Sequence, residues 1–280
     1  MIRLQSKILV CALFFSFFSC QREVSARKKI DLGEFKNISW EKLSNAEYFC
    51  SEKNKVYILK INLKSPSLKV ASYPSVSDSD SVTDAGFLDG VMLSQFVRMS
   101  GAGIAINTSP YWINTDSASA GGSKKLKILG IHVAEKMQFS KPIEKYPAFV
   151  MYRTPFGYRA KIVQNQTAEN FYEADFVFGG YFQILCGGRK MSFPSENFDS
   201  RTAVGLNSYG DELFILVCRK NPGLSFQECQ AIFQSLGCVD ALEFDGGSST
   251  SLFLRSKEKN LKIQSFLRVN ASYMGFLFDD

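Results

Sequence analysis

The stretch DALEFDGGSST, residues 240–250, decides how the fold is interpreted, because an apolar run ends abruptly in an acid, two glycines and three hydroxyl side chains. The run before the acid is typical of a buried strand. Gly246 and Gly247 then let the backbone adopt positive φ and approach a ligand closely. A hydrophobic core has no use for that combination, so we expect a polar ligand beside Asp245.

The segment before this stretch predicts two strands and a helix. Residues 202–206 and 212–219 indicate a hairpin, because a polar Asn-Ser-Tyr-Gly-Asp turn separates two apolar runs. Ser225 and Glu228 form a capping box that starts a helix, and Gly237 ends that helix. The order strand, helix, strand therefore places the acid of the quoted stretch at a strand's C-terminal end, where ligands often bind in α/β folds.

Arg201 directly precedes the hairpin and adds a guanidinium to the same region. An arginine, an acid and a loop of glycines and hydroxyls together predict a site for a phosphorylated or sugar-like substrate. Glu243 lies two residues before Asp245 on one strand, so the two side chains share a face. Such close acids would form an acid–base pair with one raised pKa; alternatively, Glu243 pairs with a basic residue and has no catalytic part.

The rest of the chain predicts an α+β fold with a largely antiparallel or mixed sheet and a few packed helices. Residues 46–50 and 55–63 are strand candidates, and residues 127–163 alternate like a series of antiparallel strands. Residues 87–99 have the period of an amphipathic helix. The polar segment 107–124 is either an active-site flap or a mobile loop.

The N-terminal segment, residues 1–20, has the basic start and short apolar run of an export signal. Cys20 follows a small residue, as in a bacterial lipobox, which predicts lipidation and a membrane-anchored lipoprotein of the cell envelope, periplasmic or surface-facing. Cleavage near Cys20 without lipidation and an uncleaved anchor are the alternatives. Residues 21–45 form a polar, basic tether, and residues 46–280 form a single compact domain of suitable length.

Composition excludes several classes of site. A net charge of +6 without a basic stripe interleaved with aromatics argues against nucleic-acid binding. His132 is the only histidine and lies in an alternating strand pattern, so we predict neither a serine-hydrolase triad nor a histidine metal site. No cofactor is predicted. Asp245 and its neighbours offer oxygen ligands of the kind that bind a divalent cation, but the sequence has no EF-hand spacing that would support such a site. Cys218 and Cys238 are a conceivable disulfide, although buried thiols are the favoured interpretation.

Three segments in order resemble the phosphodiester glycosidase family: residues 200–206, the helix 224–237 and residues 240–249. Weaker matches occur at residues 104–107, at residues 178–181 and at Arg268. The resemblance extends over roughly residues 46–280 and implies a hydrolase that cleaves a sugar from a phosphodiester on its anomeric oxygen. One departure is the segment NTSPYW, residues 107–112, where the family commonly has Asn-Gly-Gly-Phe-Phe-Asp.

The resemblance also implies roles for individual residues. Arg201 would bind phosphate in bidentate fashion, and Asp245 would act as nucleophile, general base or stabilising anion, with Glu243 as its partner. The alternatives are an Asp245 that caps a turn and an Arg201 in a structural ion pair. Further residues are expected to contact substrate: Asn107, Thr202, Gly179, Gly180, Gly246, Gly247, Ser248, Ser249 and Arg268.

The sequence thus predicts an exported hydrolase of a glycosyl phosphodiester, with a carbohydrate or glycosyl phosphate as substrate. A cell-surface glycan is the expected source of that linkage. The alternative is a non-catalytic surface lipoprotein of the same fold that binds glycan or a protein partner, which the altered segment 107–112 favours.

Overall fold

The structure is a computed structural model that describes residues 30–43, 46–83, 86–114, 125–256 and 260–278. The predicted export signal with Cys20 lies outside the described residues, as do residues 21–29, 44 and 45 of the predicted tether and residues 115–124 of the predicted flap.

The described residues form two α-helices, α1 (Leu93–Ser100) and α2 (Phe226–Ser235), together with short 3₁₀ turns that include Gly247–Ser249. The strands in chain order are β1 (Glu41–Lys42), β2 (Ala46–Ser51), β3 (Val56–Asn62), β4 (Lys69–Tyr73), β5 (Phe87–Asp89), β6 (Ile104–Asn107), β7 (Tyr111–Ile113), β8 (Lys125–Ile128), β9 (His132–Ala134), β10 (Met137–Ser140), β11 (Ala148–Thr154), β12 (Gly157–Val163), β13 (Phe176–Gly179), β14 (Phe182–Cys186), β15 (Arg189–Lys190), β16 (Arg201–Leu206), β17 (Glu212–Cys218), β18 (Asp240–Glu243), β19 (Ser251–Leu254), β20 (Leu261–Gln264) and β21 (Tyr273–Leu277).

These strands form four sheets, and neighbouring described strands run antiparallel throughout. The largest sheet has the order β1-β2-β3-β17-β16-β18-β14-β15. Two five-stranded sheets have the orders β10-β9-β13-β11-β12 and β20-β19-β6-β21-β4, and a small sheet has the order β5-β8-β7. The predicted α+β class with mainly antiparallel sheets is confirmed.

The largest sheet is buried on both faces, which places its central strands in the interior. On β17, Leu213, Ile215 and Val217 pack into the core between the sheets, whereas the intervening Phe214 and Leu216 pack into the core under α2. This alternation follows from the two-residue period of a strand. The middle of the sheet is therefore a rigid base for side chains at its strand ends.

The predicted helix–strand order around α2 is confirmed. The Ser225 hydroxyl accepts a hydrogen bond from the Glu228 backbone N–H at 3.2 Å, and the Glu228 carboxylate accepts one from the Ser225 N–H at 3.0 Å. Gly237 follows the helix at φ +79°, a left-handed conformation that favours glycine. Because β17 and β18 both pair with β16, the connection through α2 crosses over β16.

The predicted helix at residues 87–99 is wrong in its first half. Phe87–Asp89 is strand β5, which pairs with β8, and the helix begins only at Leu93. Gly90 separates the two, and a Cβ there would lie 2.4 Å from Leu126 Cδ1. Tertiary pairing thus overrides the helical period of the sequence.

The described residues also show the state of Cys238 and the character of the helices. Cys238 is a buried free thiol, so the conceivable bond to Cys218 is not formed and the favoured buried interpretation is confirmed for Cys238. Among the helices of the described residues, none combines the length and apolar character that crossing a bilayer requires.

Candidate active site

Strand alternation brings Arg201 and Glu243 to the same face of the large sheet. Ala203 on β16 and Ala241 on β18 both pack into the core under α2. Arg201 and Glu243 each lie two residues away along their strands, so their side chains project to that same side. The two strands pair directly, with Ala203 opposite Glu243.

Arg201 and Glu243 form a buried ion pair, with Nη1 2.9 Å from Oε1. The Arg201 Nε donates to the Leu224 carbonyl at 3.0 Å, and Nη2 donates to the Asn197 carbonyl at 2.5 Å. The guanidinium carbon also lies 4.1 Å from the ring centroid of Phe226. The protein itself therefore engages all three nitrogens of Arg201, which matches the structural ion-pair interpretation.

The Glu243 carboxyl titrates far from its ordinary range. Burial raises its pKa to about 7, although the charge and hydrogen bond of Arg201 act in the opposite direction. The nearby negative charges of Asp245 and Asp199 raise it further. Glu243 therefore pairs with Arg201 and also experiences the charge of Asp245.

Asp245 is fixed through its backbone by the segment that follows β6. Its N–H donates to the Thr108 carbonyl at 2.8 Å, and its carbonyl accepts a hydrogen bond from the Asn107 Nδ2 at 2.6 Å. Its side chain is half-buried. Burial raises the pKa of the carboxyl to about 6, against the lowering effects of the Ser249 hydroxyl and the Arg268 charge.

Asn107 cross-links the strands that surround the acid. Its Oδ1 accepts hydrogen bonds from the Thr202 hydroxyl at 2.8 Å and from the Ser251 N–H at 2.9 Å, while its Nδ2 holds Asp245. Asn107 and Thr202 are both buried. Their polar atoms thus bind protein groups and set the position of the Asp245 backbone.

The glycine loop after Asp245 is shaped by close backbone contacts. A Cβ at Gly246 would lie 2.9 Å from both the Glu243 Oε1 and the Ser200 carbonyl. Gly247 has φ +57°, and its N–H donates to the Ser200 carbonyl at 2.8 Å. The two glycines therefore allow the loop to pass directly over the ion pair.

Arg268 reaches the same loop from the C-terminal segment. Its Nη1 donates to the Ser248 hydroxyl at 2.5 Å, and its guanidinium carbon lies 5.3 Å from the Tyr111 ring centroid. In the part of the chain that the structure describes, no carboxylate lies within 4.0 Å of this guanidinium. Arg268 is half-buried and acts electrostatically on Asp245, so it is positioned to meet an anion beside that acid.

Tyr181 lies near both acids. Its N–H donates to the Glu243 carbonyl at 2.7 Å, and its ring centroid lies 6.1 Å from that of Tyr146. Burial raises the pKa of its phenol, and the charges of Tyr146, Asp245 and Glu243 add to that effect. The ring is partly exposed, so it contributes an aromatic wall beside the carboxylates.

Gly179 and Gly180, which precede Tyr181, leave space for neighbouring side chains that a larger residue would displace. A Cβ at Gly180 would lie 2.6 Å from the Leu242 side chain, and one at Gly179 would lie 3.0 Å from the Gln166 amide. Protein atoms thus occupy the space beside Gly179 and Gly180. The predicted site residues include this pair but neither Tyr181, which directly follows it, nor Tyr111; the position of Tyr181 beside the glycines is the signal in the sequence that could have identified it.

His132 is a buried residue of strand β9, as predicted. Its Nδ1 lies 3.2 Å from the Ser272 hydroxyl, and its Nε2 lies 3.1 Å from the Pro74 carbonyl. Burial lowers the pKa of the imidazole to about 4. Its partners are hydroxyl and carbonyl groups of the core.

Other features of the described residues lie apart from this site. No group of three or more His, Cys, Asp or Glu side chains in the described ranges is arranged to hold a metal ion. A depression lined by Thr83, Lys127 and Phe139 contains none of the predicted site residues. The convergence of Asp245, Glu243 and Arg268 therefore defines the candidate active site.

Several solved structures resemble the fold. A hypothetical protein from Synechocystis matches with a TM-score of 0.50 and 16% identity, over 86% of this chain and 61% of that chain. The catalytic domain of zebrafish N-acetylglucosamine-1-phosphodiester alpha-N-acetylglucosaminidase, auto-inhibited by its pro-peptide, matches with a TM-score of 0.54 and 13% identity, over 85% of this chain and 81% of that chain. At such identities the likeness establishes the fold alone, and this chain spans 61% of the length of the Synechocystis protein.

Sequence comparison identifies the family directly. No curated protein matches significantly. The profile of the phosphodiester glycosidase family matches residues 100–272, which is more than half of the chain and includes Asp245, Glu243 and Arg268. The chain therefore belongs to the phosphodiester glycosidase family.

Proposed function

We propose that this protein hydrolyses a glycosyl phosphodiester at Asp245. The observation that carries the proposal is that a cation and an aromatic ring both lie near this half-buried carboxylate. Arg268, without a carboxylate partner in the described residues, donates to Ser248 of the same loop, and the N–H of Tyr181 donates to the Glu243 carbonyl; both side chains act electrostatically on Asp245 or are affected by its charge. Phosphate fits the cation, and an aromatic wall fits the apolar face of a sugar ring.

Arg268 is the preferred phosphate contact. A half-buried guanidinium without a carboxylate partner retains donors for an anion. Arg201 uses donors on all three nitrogens within the protein. We therefore assign Arg201 as a positioning residue that orients Glu243, and Arg268 as the residue that meets the phosphate.

The reaction breaks the bond between the anomeric carbon and the bridging oxygen. The bond electrons leave with the phosphate monoester, which is a far better leaving group than an alcohol, and a water oxygen forms the new bond to the anomeric carbon. Asp245 stabilises the cation-like sugar, either as an anion or through covalent attack, and accepts or relays the proton of water. Glu243, with its raised pKa, is the second member of the acid–base pair.

The direct test assays release of reducing sugar from a sugar-1-phosphodiester, such as N-acetylglucosamine 1-(methyl phosphate). Asp245→Asn should lower kcat/KM by about 10²- to 10³-fold. Asp240→Asn is the matched control, because Asp240 begins β18 and its carboxylate accepts a backbone hydrogen bond from Gly187 at 2.9 Å. Equal turnover by wild type and Asp245→Asn would remove Asp245 from catalysis.

A second candidate function is a non-catalytic surface protein that binds a glycan. The observation that favours it is the use of Asn107 and Thr108 in hydrogen bonds to the Asp245 backbone. Sugar binding without any turnover, unchanged in Asp245→Asn, would support this alternative over hydrolysis.

We also propose export and lipidation at Cys20, on the evidence of the sequence. Cys20→Ser should block acylation and move the protein from the membrane fraction to the soluble fraction. An unchanged membrane fraction would contradict lipidation at this residue.

A further inference from the structure

Exposed apolar side chains border the candidate site on the side of Arg268. We call the exposed side chains of Ile113, Phe266, Leu267 and Val269 the apolar rim; Ile113 lies on the same face of β7 as Tyr111, whereas Trp112 points to the opposite face. Phe266 is 59% exposed and Leu267 is 81% exposed. Single exposed apolar residues are common on soluble proteins, but a cluster of them marks a contact surface.

Direct contacts hold the two segments of the rim together around the cation. The Tyr111 hydroxyl donates to the Val269 carbonyl at 2.9 Å and lies 3.2 Å from the Asn270 Oδ1. The Arg268 guanidinium carbon lies 5.3 Å from the ring centroid of Tyr111. The guanidinium thus lies between β7 and the segment 266–269, which both carry exposed apolar groups.

We propose that the phosphate of the substrate carries a lipid, whose head contacts Arg268 and whose first hydrocarbon segment lies on the apolar rim. This inference rests on the proposed function and specifies its substrate class. Water supplies the oxygen that bonds to the anomeric carbon, and the lipid leaves as its phosphate monoester with the bridging oxygen. An aglycone that is only water-soluble would gain nothing from the rim.

The test compares two sugar-1-phosphodiesters, one with a methyl and one with a dodecyl aglycone, below the micelle concentration. Wild type should show kcat/KM at least 10-fold higher for the dodecyl compound. Phe266→Ser/Leu267→Ser should bring that ratio close to 1. Phe156→Ser is the matched control, because Phe156 is 72% exposed in the turn between β11 and β12 and should leave the ratio unchanged.

A wild-type ratio near 1, or an equal ratio in the double variant, would overturn the lipid proposal while leaving hydrolysis intact. If neither compound is hydrolysed, the proposed function fails, and binding of dodecyl phosphate by calorimetry then decides the lipid proposal. Wild type should bind dodecyl phosphate at least 10-fold more tightly than Phe266→Ser/Leu267→Ser does; equal binding contradicts it. If wild type binds bare phosphatidylcholine vesicles as tightly as it binds dodecyl phosphate, the rim is a membrane contact without preference for the phosphate, and the proposal is also overturned.

Discussion

The Arg201 guanidinium lies 2.9 Å from the Glu243 carboxylate, in a buried ion pair that joins β16 to β18 directly beneath the Asp245 loop. A Cβ at Gly246 would lie 2.9 Å from the same carboxylate oxygen, so the loop rests on the pair. The pair therefore sets the floor of the candidate site. Its first consequence is for stability, because a buried charge without its partner is costly.

We expect Arg201→Met to lower the free energy of unfolding by about 3–5 kcal/mol, because Glu243 loses its buried partner. The double variant Arg201→Met/Glu243→Leu should recover much of that loss, since no buried charge remains. Urea denaturation of wild type and both variants measures this. Equal destabilisation in the single and double variants would contradict the importance of the pair.

We expect substitution of Arg268 to lower kcat/KM, because the phosphate of the substrate loses its contact. Arg268→Ala should lower kcat/KM for a sugar-1-phosphodiester by about 10²-fold or more, and Arg268→Lys should recover part of it, because lysine keeps the charge without the planar fork. Arg255→Ala serves as control, because the Arg255 guanidinium donates to the backbone carbonyls of Gly101 and Ala102. A loss of equal size in Arg255→Ala would show that the effect is general.

The raised pKa of Asp245 predicts how stability changes with pH. Its ordinary pKa is 3.8, and burial raises it to about 6 in the folded protein. Between these values the folded state binds more protons than the unfolded state, so this residue's contribution to stability falls as pH rises from about 4 to about 6.

Asp245→Asn should therefore have a flatter stability profile over that pH range. One pKa unit corresponds to about 1.4 kcal/mol, and solvent screening at a half-buried carboxyl reduces the effect. We expect the variant to gain on the order of 1 kcal/mol over wild type between pH 4 and pH 7 in denaturant titrations. Parallel profiles would place the Asp245 carboxyl near its ordinary pKa.

We expect Tyr181 to affect sugar binding more than chemistry. Tyr181→Ala should raise KM by about 3- to 10-fold, the cost of one lost aromatic contact, whereas Tyr181→Phe should stay close to wild type. Tyr209→Ala is the control, because Tyr209 is an exposed tyrosine in the turn between β16 and β17. An unchanged KM in Tyr181→Ala would remove this ring from the sugar site.

Local patterns predict the part of the fold that surrounds Asp245. The capping box at Ser225, the left-handed Gly237 and the alternating runs of β16 and β17 are properties of short segments, and each lies where the sequence places it. Pairing between distant segments is not local, which is why Phe87–Asp89 forms a strand despite its helical period.

The same distinction explains the candidate site. Glu243 ends β18 and Asp245 follows two residues later, so their proximity follows from their spacing along the chain. The Arg201–Glu243 pair depends on the register between β16 and β18, and the approach of Arg268 depends on a contact with Tyr111 across more than a hundred residues. No pattern within a single segment specifies these contacts.

The most direct test of the account is the position of bond cleavage in H₂¹⁸O. A sugar-1-phosphodiester is hydrolysed in labelled water, and the phosphate monoester product is analysed by mass spectrometry because the reducing sugar exchanges its anomeric oxygen. We predict an unlabelled phosphate monoester, formed by wild type and lost with Asp245→Asn, since water attacks the anomeric carbon. One ¹⁸O in the phosphate monoester, or an undiminished rate in Asp245→Asn, would contradict glycosidic cleavage at Asp245.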